Sequence, residues 1–245
     1  MDQGEDVGAL PGREHDLASL WRLMREGTVV VLLGPVGVGK TALLHQLARA
    51  FRRRGTPCGL VPRTGSLRDF TEALACAYPS VNPQGPQRQI RGRLRRAAEA
   101  RPGVLLLDHL GDTGTAFKAA LKSVRGTGLG VLLAADADEA RDRDRIRALC
   151  LSHCEVQLRP LHGNAMRCLL QHLVSSRRLG GTVTPAHLRA LVAATEGLPG
   201  RAVDFANALV DPVSWMGTSP RVDWLRTGAI IRAAERYRQT LEALP

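Results

Sequence analysis

Short unbroken apolar runs alternate with longer amphipathic stretches over the first two-thirds of the chain. Residues 28–34, TVVVLLG, form one such run, and 103–110, GVLLLDHL, and 129–136, LGVLLAAD, repeat it. Apolar and β-branched residues on successive positions predict strands buried on both faces, as in a parallel sheet. Residues 58–62 predict a shorter strand and 155–161 a fifth. Helical periodicity fills the gaps. In 13–26, Leu17, Leu20, Trp21 and Met24 recur at steps of three and four. Residues 40–55 predict a helix closed by Gly55. Residues 66–78 predict another, with Ser66 as N-cap and Asp69 three residues on. Helices are also expected over 88–100 and 115–125.

After Leu161 the strand pattern stops. Residues 163–178, 185–195, 199–210 and 221–243 carry helical periodicity, with a break over 211–220 marked by Pro212, Gly217 and Pro220. The expected fold is therefore α/β: a five-stranded parallel sheet flanked by helices over 1–161, followed by a small C-terminal helical domain over 162–245.

Composition narrows this only slightly. The 245 residues are 44% hydrophobic, enough for one good core, or for one large and one small domain. No run approaches the roughly 20 apolar residues of a membrane span. The opening MDQGEDVGALPG is acidic and lacks an apolar stretch, unlike a secretory signal, so a cytoplasmic location is expected. The five cysteines, an odd number at irregular spacing, read as reduced thiols. Cys150, His153, Cys154, His162, Cys168 and His172 lie close together, but without the tight pair of most zinc sites. Leucines and a valine interleave with them, as in a core.

The net charge of +11 suits a polyanionic partner. Arginine supplies 31 of the 34 basic residues, and lysine occurs only at 40, 118 and 122. A lysine at position 40 is thus a departure from the chain's own habit. A compact ammonium fits between phosphate oxygens where a planar guanidinium does not.

That lysine is the seventh position of the spacing G-x-x-x-x-G-K-T, which runs from Gly34 to Thr41. Gly34, Pro35, Val36, Gly37, Val38, Gly39, Lys40, Thr41 and Ala42 follow a predicted strand and open a predicted helix, the context of a phosphate-binding loop. Glycines let backbone N–H groups turn inward, and the helix dipole presents its positive end to the phosphates. Lys40 is expected on the β- and γ-phosphates, and Thr41 on Mg2+. Asp108, at the end of the run VLLLD, is the expected second magnesium carboxylate. Many hydrolases of this type carry glutamate at the next position. Here it is His109, whose imidazole differs in pKa and reach. Asp112 and Asp136 are alternative bases.

The LPGREHDLASL opening, this loop, the LLLDHL and VLLAAD strands, and the late ATEGLPGRAVDFANAL segment resemble the AAA+ ATPases. Within them the chain is similar to origin-recognition-type and STAND-type ATPases and to transposon-encoded AAA+ regulators. The resemblance implies ATP and Mg2+ as ligands. It implies that Gly12, Arg13 and Glu14 border the adenine and that Pro199 lies near the base. Arg201 would read the γ-phosphate at the sensor-2 position of Thr195–Arg201. Ala135 or Asp136 would stand at the sensor-1 position, where a neutral polar residue is usual. Arg145 and Arg147 are implied as candidates for an arginine finger toward a neighbouring subunit, although the surrounding ARDRDRIRAL also fits a solvated face.

Arg88, Arg91 and Arg95 share one face of the 88–100 helix, opposite Ile90, Leu94 and Ala98. That stripe fits either a phosphate backbone or plain solvent. Aromatic residues are 4% of the chain and do not interleave with the arginines, which argues against base stacking as the main mode of contact. Two functions follow. One is an ATPase that assembles with copies of itself around ATP and acts on DNA or a DNA-bound partner. The other is an ATP-dependent switch or scaffold with weak or no hydrolysis that recruits a protein partner. A small-molecule kinase fits less well, because the helical C-terminal region looks like a nucleotide-sensing lid.

Overall fold

The computed structural model describes residues 10–62, 67–82, 84–109, 114–136, 144, 146 and 153–242. Ser66, Asp112, Arg145, Arg147 and Cys150 lie outside them. Contacts group the chain into two compact units. The first takes in residues 1–35 and 40–159, and the second takes in Val36–Gly39 with Pro160–Pro245.

The first unit is built on five parallel strands: β1 (Val29–Gly34), β2 (Cys58–Val61), β3 (Val104–Leu107), β4 (Gly130–Asp136) and β5 (Cys154–Gln157). Their order across the sheet is β2-β3-β4-β1-β5. Every residue of β1 and β3 is buried, and so is all of β4 except half-buried Asp136. This is what strands covered on both faces require. β5 is an edge strand, its residues alternating between half-buried and exposed. It starts earlier and ends sooner than the 155–161 expected. Leu158 and Leu161 are buried, but they follow the strand rather than form it.

Among the described residues this unit has the helices α1 (Glu14–Arg25), α2 (Lys40–Arg53), α3 (Leu67–Ala77), α4 (Gln87–Ala100) and α5 (Thr115–Arg125). Side chains alternate between the faces of a strand. Val29, Val31 and Leu33 of β1 join Leu105, Leu107, Val131 and Leu133 in one core with residues of α3, α4 and α5. Within it Phe70 meets Phe117 edge to face, ring centroids 5.3 Å apart. α1 packs on β1 and β4, and α2 on β2 and β3. Trp21 of α1 stacks on Phe51 of α2 with centroids 4.0 Å apart, and the Arg54 guanidinium lies 4.7 Å from the Trp21 ring. Arg54 therefore spends its charge on an aromatic face at the end of α2.

The second unit contains α6 (Gly163–Ser175), α7 (Pro185–Ala194), α8 (Pro199–Ala208) and α9 (Val222–Glu242). Its core draws Met166 and Leu170 from α6, Leu188 and Leu191 from α7, Ala202 and Phe205 from α8, and Leu225 and Ala229 from α9. Thr184 caps α7 in a reciprocal box with His187, ahead of Pro185. One expectation fails here. Strands do not stop at Leu161: β6 (Trp215–Met216) and β7 (Ser219–Pro220) form an antiparallel ribbon after a 3-10 turn over Pro212–Ser214. The ribbon seats Trp215 in the core, where its indole N–H donates to the Leu209 carbonyl at 3.0 Å. Two-residue strands are too short to show a period, which is why the segment reads as a plain break.

Candidate functional site

β1 and β4 are hydrogen-bonded neighbours, with Gly34 opposite Asp136 at their carboxyl ends. The next residues of the chain after Gly34 make the tight turn into α2. Gly37 and Gly39 sit at φ +80° and +102°, conformations that L side chains rarely adopt, so the backbone calls for glycine at these two positions. The turn ends by placing Lys40 as the first residue of α2, 9% exposed. Its ammonium donates to Gly34 O at 2.7 Å, to Pro35 O at 3.1 Å and to Asp136 Oδ1 at 2.6 Å. Ala135, the alternative at this position, is buried at 2% exposure in the apolar core. It is Asp136 that faces the lysine.

Val38 is fully buried, whereas Val36 is 56% exposed. Thr41 and Ala42, in the first turn of α2, are also exposed. Asp108 follows the last residue of β3 and is 3% exposed. Its backbone N–H donates to Val61 O at 2.9 Å, which ties it to the β2 edge of the ladder. Its Oδ1 accepts from the His109 N–H at 3.0 Å. His109 has φ +46°, one of two non-glycine residues in the left-handed region among those described. Its ring is 60% exposed, with Nε2 3.8 Å from Asp108 Oδ2. The turn thus directs a backbone donor at the carboxylate and leaves most of the imidazole in solvent.

In the second unit, α7 ends at Thr195, whose fully buried hydroxyl donates to Val192 O at 2.7 Å. Glu196 at φ +53° and Gly197 at φ +74° then reverse the chain. A Cβ on Gly197 would come within 2.8 Å of Leu161 O, and the Gly197 carbonyl accepts from Leu161 N–H at the same distance. Pro199 follows as the first residue of α8, where a missing N–H costs nothing. The free N–H of Gly200 donates to Gly37 O at 2.8 Å, inside the same unit. Arg201 Nη1 lies 2.6 Å from Glu196 Oε2, and the two form an ion pair. Glu196 Oε1 accepts from Arg226 of α9 at 2.8 Å. The Arg201 guanidinium, and after it Arg226, hold the Glu196 carboxyl below its usual range.

At the N-terminal segment, Gly12 N–H donates to Glu14 Oε1 at 3.1 Å and buried Arg13 pairs with Asp16 at 3.1 Å. On α4, Ile90, Leu94 and Ala98 are buried; Arg88 and Arg95 are exposed and Arg91 half-buried, as their spacing predicts. Arg95 is partly neutralised by Glu99 at 2.8 Å. No group of metal-binding side chains occurs among the described residues. Nor is any described helix long and apolar enough to cross a membrane.

Two carboxylates were not assigned these partners from the sequence. Asp136 pairs with Lys40 across 96 residues of chain, and Glu196 with Arg201 through a left-handed turn. The G that follows Glu196 signals the turn, but nothing local signals the first pair.

Residues 23–143, about half the chain, match the AAA domain family. No match to a curated protein was found. Among solved structures, PCH-2 of C. elegans is similar at a TM-score of 0.51 and 15% identity, over 97% of this chain and 74% of that one. A DNA replication initiation factor gives 0.50 at 14% identity over 78% of this chain. AMPPCP-bound DnaA of Aquifex aeolicus gives 0.50 at 16% identity over 81%. The chain spans only 58% and 62% of the lengths of these last two, and the likenesses bear on fold alone. With the glycine turn, the first-turn lysine and the strand-end aspartate on a parallel sheet of this order, the match identifies residues 23–143 as an AAA domain of the P-loop kind.

Proposed function

We propose that this protein binds ATP with Mg2+ through its P-loop, assembles with copies of itself around the nucleotide, and acts on DNA or a DNA-bound partner. The observation that carries the reading is Lys40, a lone lysine in an arginine-rich segment, seated at the carboxyl end of β1 with its ammonium fixed by the Gly34 and Pro35 carbonyls. The residues present fit the ligand. Gly37 and Gly39 give the backbone freedom to aim N–H groups at phosphate oxygens, and the N-terminus of α2 adds its dipole. Thr41 and Asp108 supply the hydroxyl and carboxylate that suit a magnesium ion. Bound magnesium would supply positive charge to the β- and γ-phosphate oxygens. Pro199 would border the base, Arg201 would read the γ-phosphate, and the exposed arginines of α4 would meet a phosphate backbone. Binding would be reported through Arg201, and hydrolysis would reset the state.

A second reading is favoured by His109. An imidazole that is mostly in solvent and held in a left-handed turn is poorly placed to activate water. A nucleotide-dependent switch that recruits a protein and turns over slowly accounts for that residue better. Turnover measured with and without duplex DNA, beside a His109→Glu variant, separates the two. DNA-stimulated turnover in the wild type supports the first. Tight ATP binding without turnover, restored by glutamate, supports the second. DNA binding that does not weaken as salt rises would remove the role of the α4 arginines.

A further inference from the structure

An ammonium has three protons to donate, and Lys40 has three acceptors at hydrogen-bond distance. Two are backbone carbonyls of the loop itself. The third, Asp136, is the shortest at 2.6 Å and alone carries a charge. The pair is partly shielded from water, with Lys40 side-chain exposure of 10% and that of Asp136 29%, so the attraction is screened less than on an open surface. A phosphate oxygen can reach this ammonium only by taking one of these three directions. The carbonyls of Gly34 and Pro35 are fixed by β1 and the turn. Asp136 is the partner that can yield, and wherever it turns locally its negative charge stays beside an arriving anion.

We propose that Asp136 is the counter-ion against which phosphate must compete for Lys40, and that it sets the nucleotide affinity of the site. It acts through Lys40 and is a positioning residue, holding the ammonium aimed while weakening its grip on phosphate. This rests on the P-loop binding phosphate as proposed above. Asp136→Asn keeps an oxygen acceptor at the same place and removes the charge. The affinity for ATP then rises by roughly tenfold, the size expected from deleting one partly screened like charge beside an anion.

The test is isothermal titration of ATP and, separately, of inorganic tripolyphosphate, into the wild type, Asp136→Asn and Asp136→Ala, each checked for native circular dichroism. Tighter binding of both ligands by the folded variants supports the proposal. The tripolyphosphate arm matters because a loosened base pocket would not tighten a ligand that has no base. Binding by the asparagine variant where the wild type shows none also supports it. Wild-type binding with equal or weaker affinity in the variants overturns the counter-ion role and leaves the nucleotide reading standing. Absence of binding in all three proteins overturns both.

Discussion

Truncating Phe205 to alanine tests whether α8 is held by a core of its own. Phe205 is fully buried beside Leu170, Leu191, Leu209, Trp215 and Leu225. It lies four residues after Arg201, so its packing fixes the helix that presents that guanidinium. A large-to-small change at such a site costs about 3–5 kcal/mol from lost transfer and the cavity left behind. A domain the size of the second unit has a total stability of about 4–13 kcal/mol. The substitution therefore removes a quarter or more of it. Each kcal/mol moves the melting point of a domain this size by about 4–8 °C, so the second unit should melt at least about 12 °C lower. The first unit should not follow, because its large core shares no residue with this one. Differential scanning calorimetry should resolve a second transition that moves while the first stays. An equal shift of all heat absorption, or a shift below about 4 °C, would refute the assignment of Phe205 to an independent core.

Other expectations follow from single residues. Burial pushes the Cys58 thiol up to about 11 against a nearby arginine that pulls it down, so at pH 8 a thiol reagent should label Cys76 and Cys168 quickly and Cys58 only on unfolding. Because that pKa is raised on folding from 9.0, the stability it contributes is present below pH 9 and lost between pH 9 and 11, on the order of a few kcal/mol at most, read as a falling denaturation midpoint. Glu196 has the opposite sign. Its carboxyl is depressed by Arg201 and Arg226, so its contribution is held above its ordinary pKa and lost as pH falls below it. An NMR titration of the Glu196 side chain should give a midpoint below 4.5, and Arg201→Ala should move it back up. His109→Gly relieves a left-handed backbone at little packing cost, so urea unfolding should show a stability unchanged or raised by about 1 kcal/mol, while His109→Val should lower it.

The legible parts of this molecule were those written in local spacing. GPVGVGKT gave the loop and the helix after it because glycine, lysine and threonine must each occupy one backbone position. The runs at 29–34, 104–107 and 130–136 gave the central strands because burial on both faces excludes polar residues. Ile90, Leu94 and Ala98 gave the buried face of α4 by period alone. The edges were harder. β5 alternates weakly, and Leu158 and Leu161 extend its apolar pattern beyond its ladder. The Trp215–Pro220 ribbon has too few residues for any period. Strand order is a tertiary fact. β4 lies between β1 and β3, so Asp136 meets Lys40, but no feature of the LGVLLAAD segment says which strand will be its neighbour.

The Gly34–Asp136 register makes the sheet a ruler. Adjacent strands lie about 4.8 Å apart, a gap set by the hydrogen bonds of the ladder and not by any helix or loop. A two-carbon acid on one strand end is cut to the length that places its oxygen against a lysine leaving the other. Glutamate at 136 would overshoot by a methylene, and a one-residue slip of β4 would point the carboxylate into the apolar core where Ala135 now sits. The charge beside the P-loop is therefore calibrated by backbone pairing, and it keeps its place as long as the two strands stay joined.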